Sequence, residues 1–223
     1  MRILVKFPTR ERPERFKAVL EGWVRNASNL SRIDWLLSLD RDDKTMNDLS
    51  FFEAPPNLFV HWGTSVSKVD AINRDIGCHS ADNPWDVLLV LSDDMVCVQP
   101  NWDAYIRANM EAYLPDGDGL MWFFDGKQKD ICTLPLMGRK YYDRFGYVYR
   151  DCYKSVFADD EQTAVARDMG KLVFFDMVLA EHHHPANFSH VKPDPLYLKN
   201  ETHAIWKRDE ETYFTRKAQG FPQ

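Results

Sequence analysis

Two stretches of this sequence place acids and imidazoles where they can meet a charged ligand. In Val87-Leu88-Leu89-Val90-Leu91-Ser92-Asp93-Asp94, five aliphatic residues run straight into two carboxylates. Carboxylate oxygens suit a hard divalent cation, manganese or magnesium, which keeps some of its waters and bridges phosphate oxygens. Further on, an apolar run from Leu172 to Ala180 leads into Glu181-His182-His183-His184-Pro185. Alternate residues of extended backbone share a face, so His182 and His184 point one way and His183 the other. Asp94 with one imidazole, from His182 or His184, makes a mixed oxygen and nitrogen site with positions left for phosphate and water.

Other polar groups sit where a nucleoside diphosphate needs them. Thr9 and Arg10 follow the first apolar run, and Asp40 and Asp42 follow the second. A carboxylate accepts hydrogen bonds from a pyrimidine N–H or from ribose hydroxyls, and a guanidinium offers fixed donors to a base carbonyl or a phosphate. Asp93 then faces the ribose or the donor sugar, and Lys68 and Asn73 are candidates for phosphate or ribose contacts. A third acidic group, Asp159-Asp160-Glu161, opens a helical pattern beside an aromatic-rich segment. Helix capping accounts for one or two of these acids. A remaining one can take a proton from an attacking hydroxyl, so the candidate base is Glu161, Asp160 or Asp159.

The elements that must position these groups alternate. Arg2 to Phe7 reads as a strand, Glu14 to Asn26 as a helix with Phe16, Val19, Leu20, Trp23 and Val24 at helical spacing, and Ile33 to Leu39 as a second strand. A short helix is expected over 45–53, a strand over 58–62, one helix over 67–78, the strand Val87 to Leu91 and a helix over 102–113. This order predicts an α/β fold built on a Rossmann-like, mostly parallel sheet flanked by helices. In such a sheet ligands bind beyond the carboxyl ends of the strands, where the acids fall. From Gly119 the pattern changes: strands are expected over 120–124, 131–137 and 172–180, and helices over 139–145 and 159–169. A polar, aromatic-rich C-terminal tail or lid follows, with a helix around 200–219. The expected organisation is a single catalytic domain over residues 1–190, its nucleotide half at 1–118 and its acceptor and metal half at 119–190, followed by the tail at 191–223.

Composition narrows the class. The chain has 223 residues, a net charge of −6 and 44% hydrophobic residues. The acidic balance disfavours a large nucleic-acid-binding face. No window approaches the length of apolar sequence that a membrane span needs. The apolar start is too short for a signal peptide, and the four cysteines form no CxxC pair, so a reduced, cytoplasmic protein is expected.

In their order and spacing these pieces resemble the GT-A nucleotide-sugar glycosyltransferases of the family-2 type, including small bacterial and phage members. The resemblance spans roughly residues 1 to 190. It rests on Pro8-Thr9-Arg10-Glu11-Arg12-Pro13, the acidic end of the second strand, Ser92-Asp93-Asp94 at the DxD position, Asp159-Asp160-Glu161 with Arg167, and His182-His183-His184-Pro185. Residues 136–153 are similar to the acceptor-side segment. The resemblance implies a hexosyl- or pentosyltransferase with a nucleoside-diphosphate sugar donor, UDP favoured, and a divalent metal. Transfer would proceed with inversion to an acceptor hydroxyl on a glycan, a lipid-linked saccharide or a modified nucleobase. It assigns Thr9, Arg10 and Asp40 to the donor nucleotide, Asp94 to the metal, and His182 or His184 as the late metal ligand. A nucleotidyltransferase on a similar sheet is an alternative, although the Pro8–Pro13 turn lacks the glycines usual for a triphosphate loop. A non-catalytic nucleotide-sugar-binding protein is another.

Overall fold

A computed structural model describes residues 1–222. β1 (Ile3–Pro8), β2 (Ile33–Asp40) and β3 (Leu58–Gly63) run parallel, and β4 (Val87–Val90) joins the other side of β1, also parallel. The chain passes outward from β1 to β2 and β3 and then returns beyond β1 to β4. This puts a topological switch point, the usual ligand crevice of an open α/β sheet, between β1 and β4. A short strand β5 (Met95–Cys97) leaves the main sheet directly after the two acids. β6 (Leu120–Phe124), β7 (Pro135–Gly138) and β8 (Leu172–Val178) complete the main sheet in the order β3-β2-β1-β4-β7-β6-β8. β7 is antiparallel to both neighbours, so the sheet is mostly but not wholly parallel. β9 (Ala180–His182) pairs antiparallel with β5 in a separate two-stranded ribbon.

The central strands are buried on both faces, which is why they read as nearly continuous apolar runs, interrupted by Lys6 in β1 and by Asp34 and Ser38 in β2, rather than as alternating ones. Ile3, Val5 and Phe7 of β1 pack on one face with Phe16, Val19, Leu20 and Trp23 of helix α1 (Pro13–Arg25). Helix α4 (Trp102–Tyr113) lies on the same side, where the Trp102 indole donates to the carbonyl of Trp23 at 2.8 Å. Leu4 packs on the opposite face with residues of α2 (Lys68–Asn73), α3 (Ile76–Asp82), α5 (Arg139–Phe145) and α6 (Ala158–Asp168). Pro13 at the first helical position and Glu14 in the first turn explain where α1 starts.

Four elements differ from the sequence expectation. The single helix over 67–78 is broken into α2 and α3 because Asp75 adopts a left-handed conformation, φ 72°. Its carboxylate is held there by the Ser38 hydroxyl at 2.5 Å. The helix over 45–53 reduces to one 3-10 turn at Lys44–Met46, capped by Asp43. The strand over 131–137 shortens to Pro135–Gly138, because the Cys132 amide is taken by the Thr163 hydroxyl and the Thr133 hydroxyl by Asp125. The helix around 200–219 is two helices, α7 (Pro195–Asn200) and α8 (His203–Ala218). The tail is built into the body: Leu196, Asp209 and Phe221 are buried. No helix among the described residues is long and apolar enough to cross a membrane.

Candidate active site

The carboxyl ends of β1, β2, β3 and β4 open onto a cavity of about 340 Å³. Thr9, Arg10, Asp40, Lys68, Asp93, Asp94, Asp159, His182 and His184 all line it. At the switch point the Thr9 hydroxyl donates to Asp93 at 3.2 Å, and Arg12 adds an ion pair to the same carboxylate at 2.7 Å. Burial, helped by the neighbouring Asp94 charge, raises the Asp93 carboxyl to about 6 even though Arg12 pulls it down.

Asp40 forms the second wall. It accepts from the Ser65 amide at 2.8 Å and from Arg10 at 3.0 Å. Arg74 approaches the same carboxylate at 3.5 Å and donates to the Leu39 carbonyl at 2.7 Å. Gly63 is what lets Arg74 through, since a Cβ there would stand 2.1 Å from its Nη1. Arg10 is also gripped in two-point fashion by Asp42, at 2.6 and 2.9 Å, so its guanidinium is already engaged by acids.

The acid and the imidazole meet through the β5–β9 ribbon. Met95 lies opposite His182 in its register, and the His183 amide donates to the Asp94 carbonyl at 2.8 Å. These pairings set His182 Nε2 3.5 Å from Asp94 Oδ2. Burial opposes charge on both groups, but the pairing prevails. The imidazolium holds Asp94 well below the usual carboxylate range, and Asp94 raises His182 to about 9. The other ring nitrogen, Nδ1, is buried without a hydrogen bond and faces Asp125 Oδ2 at 3.7 Å. A carboxylate behind the far nitrogen of an imidazole is the usual support of a ligating histidine, and this mixed oxygen and nitrogen donor set fits manganese better than magnesium, which takes oxygen ligands. His184 lies beside His182, ring centroids 5.3 Å apart, with its Nε2 3.4 Å from Glu201. His183 turns away to Glu181 at 2.9 Å.

Three expected site residues lie off this cavity: Glu161, Asn73 and Asp160. Glu161 does not line this cavity. It is buried, takes a two-point ion pair from Arg216 of α8 at 2.8 Å for both contacts, and accepts the Tyr153 hydroxyl at 2.6 Å. Helical geometry turns it away from Asp159, two positions earlier. Asn73 is not a cavity residue either: its carboxamide clamps the Val148 and Tyr149 amides at 3.0 Å each and the Tyr149 carbonyl at 2.6 Å. Of the three acids opening α6, Asp159 is the one on the cavity wall, and burial raises its carboxyl. Asp160 lies outside the lining and is raised to about 6, by burial and then by Asp159.

Sequence reasoning missed Asp125, which lies far from both clusters in sequence. It also missed the tail's share of the cavity. Lys192, Lys199 and Glu201 line the cavity, and Asp194, the N-cap of α7, is tied to Arg12 at 2.7 Å and Arg15 at 3.2 Å. The two lysines are the signal available in the sequence: cations at the start of the tail, which follows the His182–His184 cluster.

No protein-family model and no curated protein matches this sequence. Solved structures do. The chain is similar to S. aureus TarS (residues 1–349 of that protein) with TM-score 0.62 and 12% identity, covering 84% of this chain and 62% of that one. The same portion of TarS in complex with UDP-GlcNAc aligns over 97% of this chain and 72% of that one, with TM-score 0.62 and 12% identity. A mannosyltransferase, PcManGT from Pyrobaculum calidifontis in complex with GDP-Man and Mn2+, aligns with TM-score 0.64 and 13% identity over 98% of this chain and 64% of that one. The chain thus has the GT-A fold of the nucleotide-diphospho-sugar transferases. It spans just under two thirds of the first of these TarS chains and of the mannosyltransferase chain, 62% and 64% respectively.

Proposed function

We propose that this protein is a metal-dependent, inverting glycosyltransferase that moves a sugar from a nucleoside-diphosphate donor, UDP-linked in the first instance, to an acceptor hydroxyl. The observation that carries this reading is the convergence of Thr9, Asp40, Lys68, Asp94, His182 and Asp159 on one cavity at the switch point of the sheet. The neighbours bound to UDP-GlcNAc and to GDP-Man with Mn2+ support a nucleotide-sugar donor and a divalent ion. Four unpaired cysteines support a reducing compartment such as the cytoplasm.

Asp40 and the Ser65 amide bound the pocket for the base, with Arg10 and Arg74 fixing the Asp40 carboxylate. Lys68, with Lys192 and Lys199 from the tail, supplies positive charge for the diphosphate. Asp94 and His182 would hold Mn2+ or Mg2+, which when bound offsets the charge that builds on the departing diphosphate. Asp159 takes the proton from the acceptor hydroxyl as that oxygen bonds to the anomeric carbon and the bond from this carbon to the diphosphate breaks. A carboxyl raised by burial suits that exchange.

The test is thermal unfolding with UDP and GDP, each with and without Mn2+, followed by detection of free UDP from UDP-sugars. A ligand at about 100 times its dissociation constant adds roughly 2.7 kcal/mol. A manganese-dependent rise in melting temperature together with nucleotide release is expected. No rise with any nucleoside diphosphate, with or without metal, would overturn the reading.

A further inference from the structure

A second group of metal-ligating side chains lies outside the cavity, at the open edge of the sheet. His61 on the edge strand β3, Asp75 at the break between α2 and α3, and exposed Cys78 on α3 point their ligand atoms at one another within 4.8 Å. His61 Nδ1 is 3.9 Å from Asp75 Oδ1 and 3.9 Å from Cys78 Sγ. In a tetrahedral zinc site with ordinary bond lengths, neighbouring ligand atoms are about 3.3–3.6 Å apart. The three groups therefore need to close by only a few tenths of an ångström to about one ångström.

The surroundings prepare Asp75 for this. Its Oδ2 is engaged inside the protein, by the Ser38 hydroxyl at 2.5 Å, Arg74 Nη1 at 3.1 Å and Lys6 Nζ at 3.9 Å. Its Oδ1 is the oxygen that faces His61. The left-handed backbone at Asp75 splits what the sequence pattern presents as one helix, and the turn sets Asp75 and Cys78 beside β3. A non-glycine residue in that conformation is uncommon, and such residues cluster at binding sites.

We propose that His61, Asp75 and Cys78 form a zinc site with a fourth position for water, separate from the Asp94–His182 pair. Thiolate and imidazole together select zinc over magnesium or manganese, and the open fourth position is that of a site able to take a further ligand. Binding displaces the thiol proton, which Cys78 now directs at the Asp75 carbonyl at 3.1 Å, and releases it to solvent. Because Asp75 also holds Arg74 Nη1, while Nη2 of the same guanidinium reaches Asp40 and the Leu39 carbonyl, the ion would sit one ion pair away from the wall of the main cavity.

The test titrates chelator-treated protein with Co2+ and then displaces it with Zn2+. Cobalt bound by a thiolate gives a sulfur-to-metal charge-transfer band that an Asp94–His182 site cannot produce. One equivalent of cobalt should give this band in the wild type and in Asp94→Ala, and zinc should abolish it. Cys78→Ser should lose the band, and His61→Ala should weaken zinc binding by about 10- to 100-fold. No band in the wild type, or a band that survives in Cys78→Ser, would overturn the proposal. Loss of the band in Asp94→Ala alone would overturn it too, by showing that the two sites are not separate.

Discussion

Asp125 stands behind His182, its Oδ2 3.7 Å from Nδ1, while Nε2 of the same ring faces Asp94 at 3.5 Å. The imidazole is thus held between two carboxylates, one on the cavity and one beneath it. Asp125 is itself fixed by the Thr133 hydroxyl at 2.7 Å and by the Lys127 and Gln128 amides at 2.8 and 2.6 Å. Asp125→Asn should keep the fold but weaken manganese binding by about 10- to 100-fold, because the neutral amide no longer orients or polarises the ring. Asp94→Ala should abolish the manganese-dependent part of the UDP stabilisation. Calorimetric titration of Mn2+ in the presence of UDP checks both, and unchanged affinity in Asp125→Asn would remove Asp125 from the site.

Asp159 and Glu161 should separate cleanly in a kinetic comparison. Asp159→Asn should lower kcat by about 10²- to 10⁴-fold and leave donor binding intact, as for loss of a general base. Glu161→Gln should act on stability instead, because it leaves the half-buried Arg216 guanidinium without its charged partner. Removing one member of a fully buried pair typically costs about 3–5 kcal/mol, and the partial exposure of Arg216 puts the expected loss below that range. Denaturant unfolding alongside steady-state kinetics distinguishes the two. A stable Glu161→Gln protein with collapsed kcat would return Glu161 to the chemistry.

These two acids also show how far the sequence could be read. The fold class was legible because β1, β2 and β4 are buried on both faces and alternate with amphipathic helices. The acids ending β2 and β4 were legible because parallel strands share a carboxyl edge. The partner of Asp94 was only half legible: the choice between His182 and His184 turns on the pairing of Met95 with His182 in a three-residue strand too short to leave a pattern. Glu161 stood in the right place relative to Arg167 in sequence. What takes it out of the cavity is Arg216, 55 positions on in a helix that had been set apart as tail. Asn73 misled for a similar reason, since its clamp on residues 148 and 149 is a long-range contact. Local periodicity does not report long-range side-chain pairing.

Asp160 gives a pH dependence of known sign. Its carboxyl is raised from 3.8 to about 6 in the folded protein, by burial first and then by Asp159. Between those values the native state holds more protons than the unfolded chain, so stability falls as pH rises through the window and levels off above it. Asp160→Asn should remove that part of the slope and make the protein more stable than wild type at pH 7, with little change at pH 4. Thermal unfolding of the two proteins from pH 4 to 7 checks this. Parallel curves across that range would place the Asp160 carboxyl in an ordinary environment.

Asp209 of α8 ties the tail to the segment that delivers Asp159. Its carboxylate is fully buried and accepts from the Lys154, Ser155 and Val156 amides at 2.8–3.1 Å, just before α6 begins. Removing it strands three backbone donors, and a buried donor left without an acceptor costs about 1–3 kcal/mol. Asp209→Ala should therefore destabilise the protein by about 3 kcal/mol or more. At about 2–4 °C per kcal/mol for a chain of this size, that lowers the melting temperature by roughly 6–12 °C. The loss should also reach the chemistry, because the 154–156 segment sets where α6 starts. At a temperature where the variant is still folded, kcat should fall by more than UDP affinity. The donor groups on β1, β2 and β4 do not depend on this loop, and Lys68 adjoins it through the Val69 amide, which donates to the Lys154 carbonyl at 3.3 Å. A variant that lost UDP binding entirely would therefore point to general unfolding rather than to a displaced Asp159.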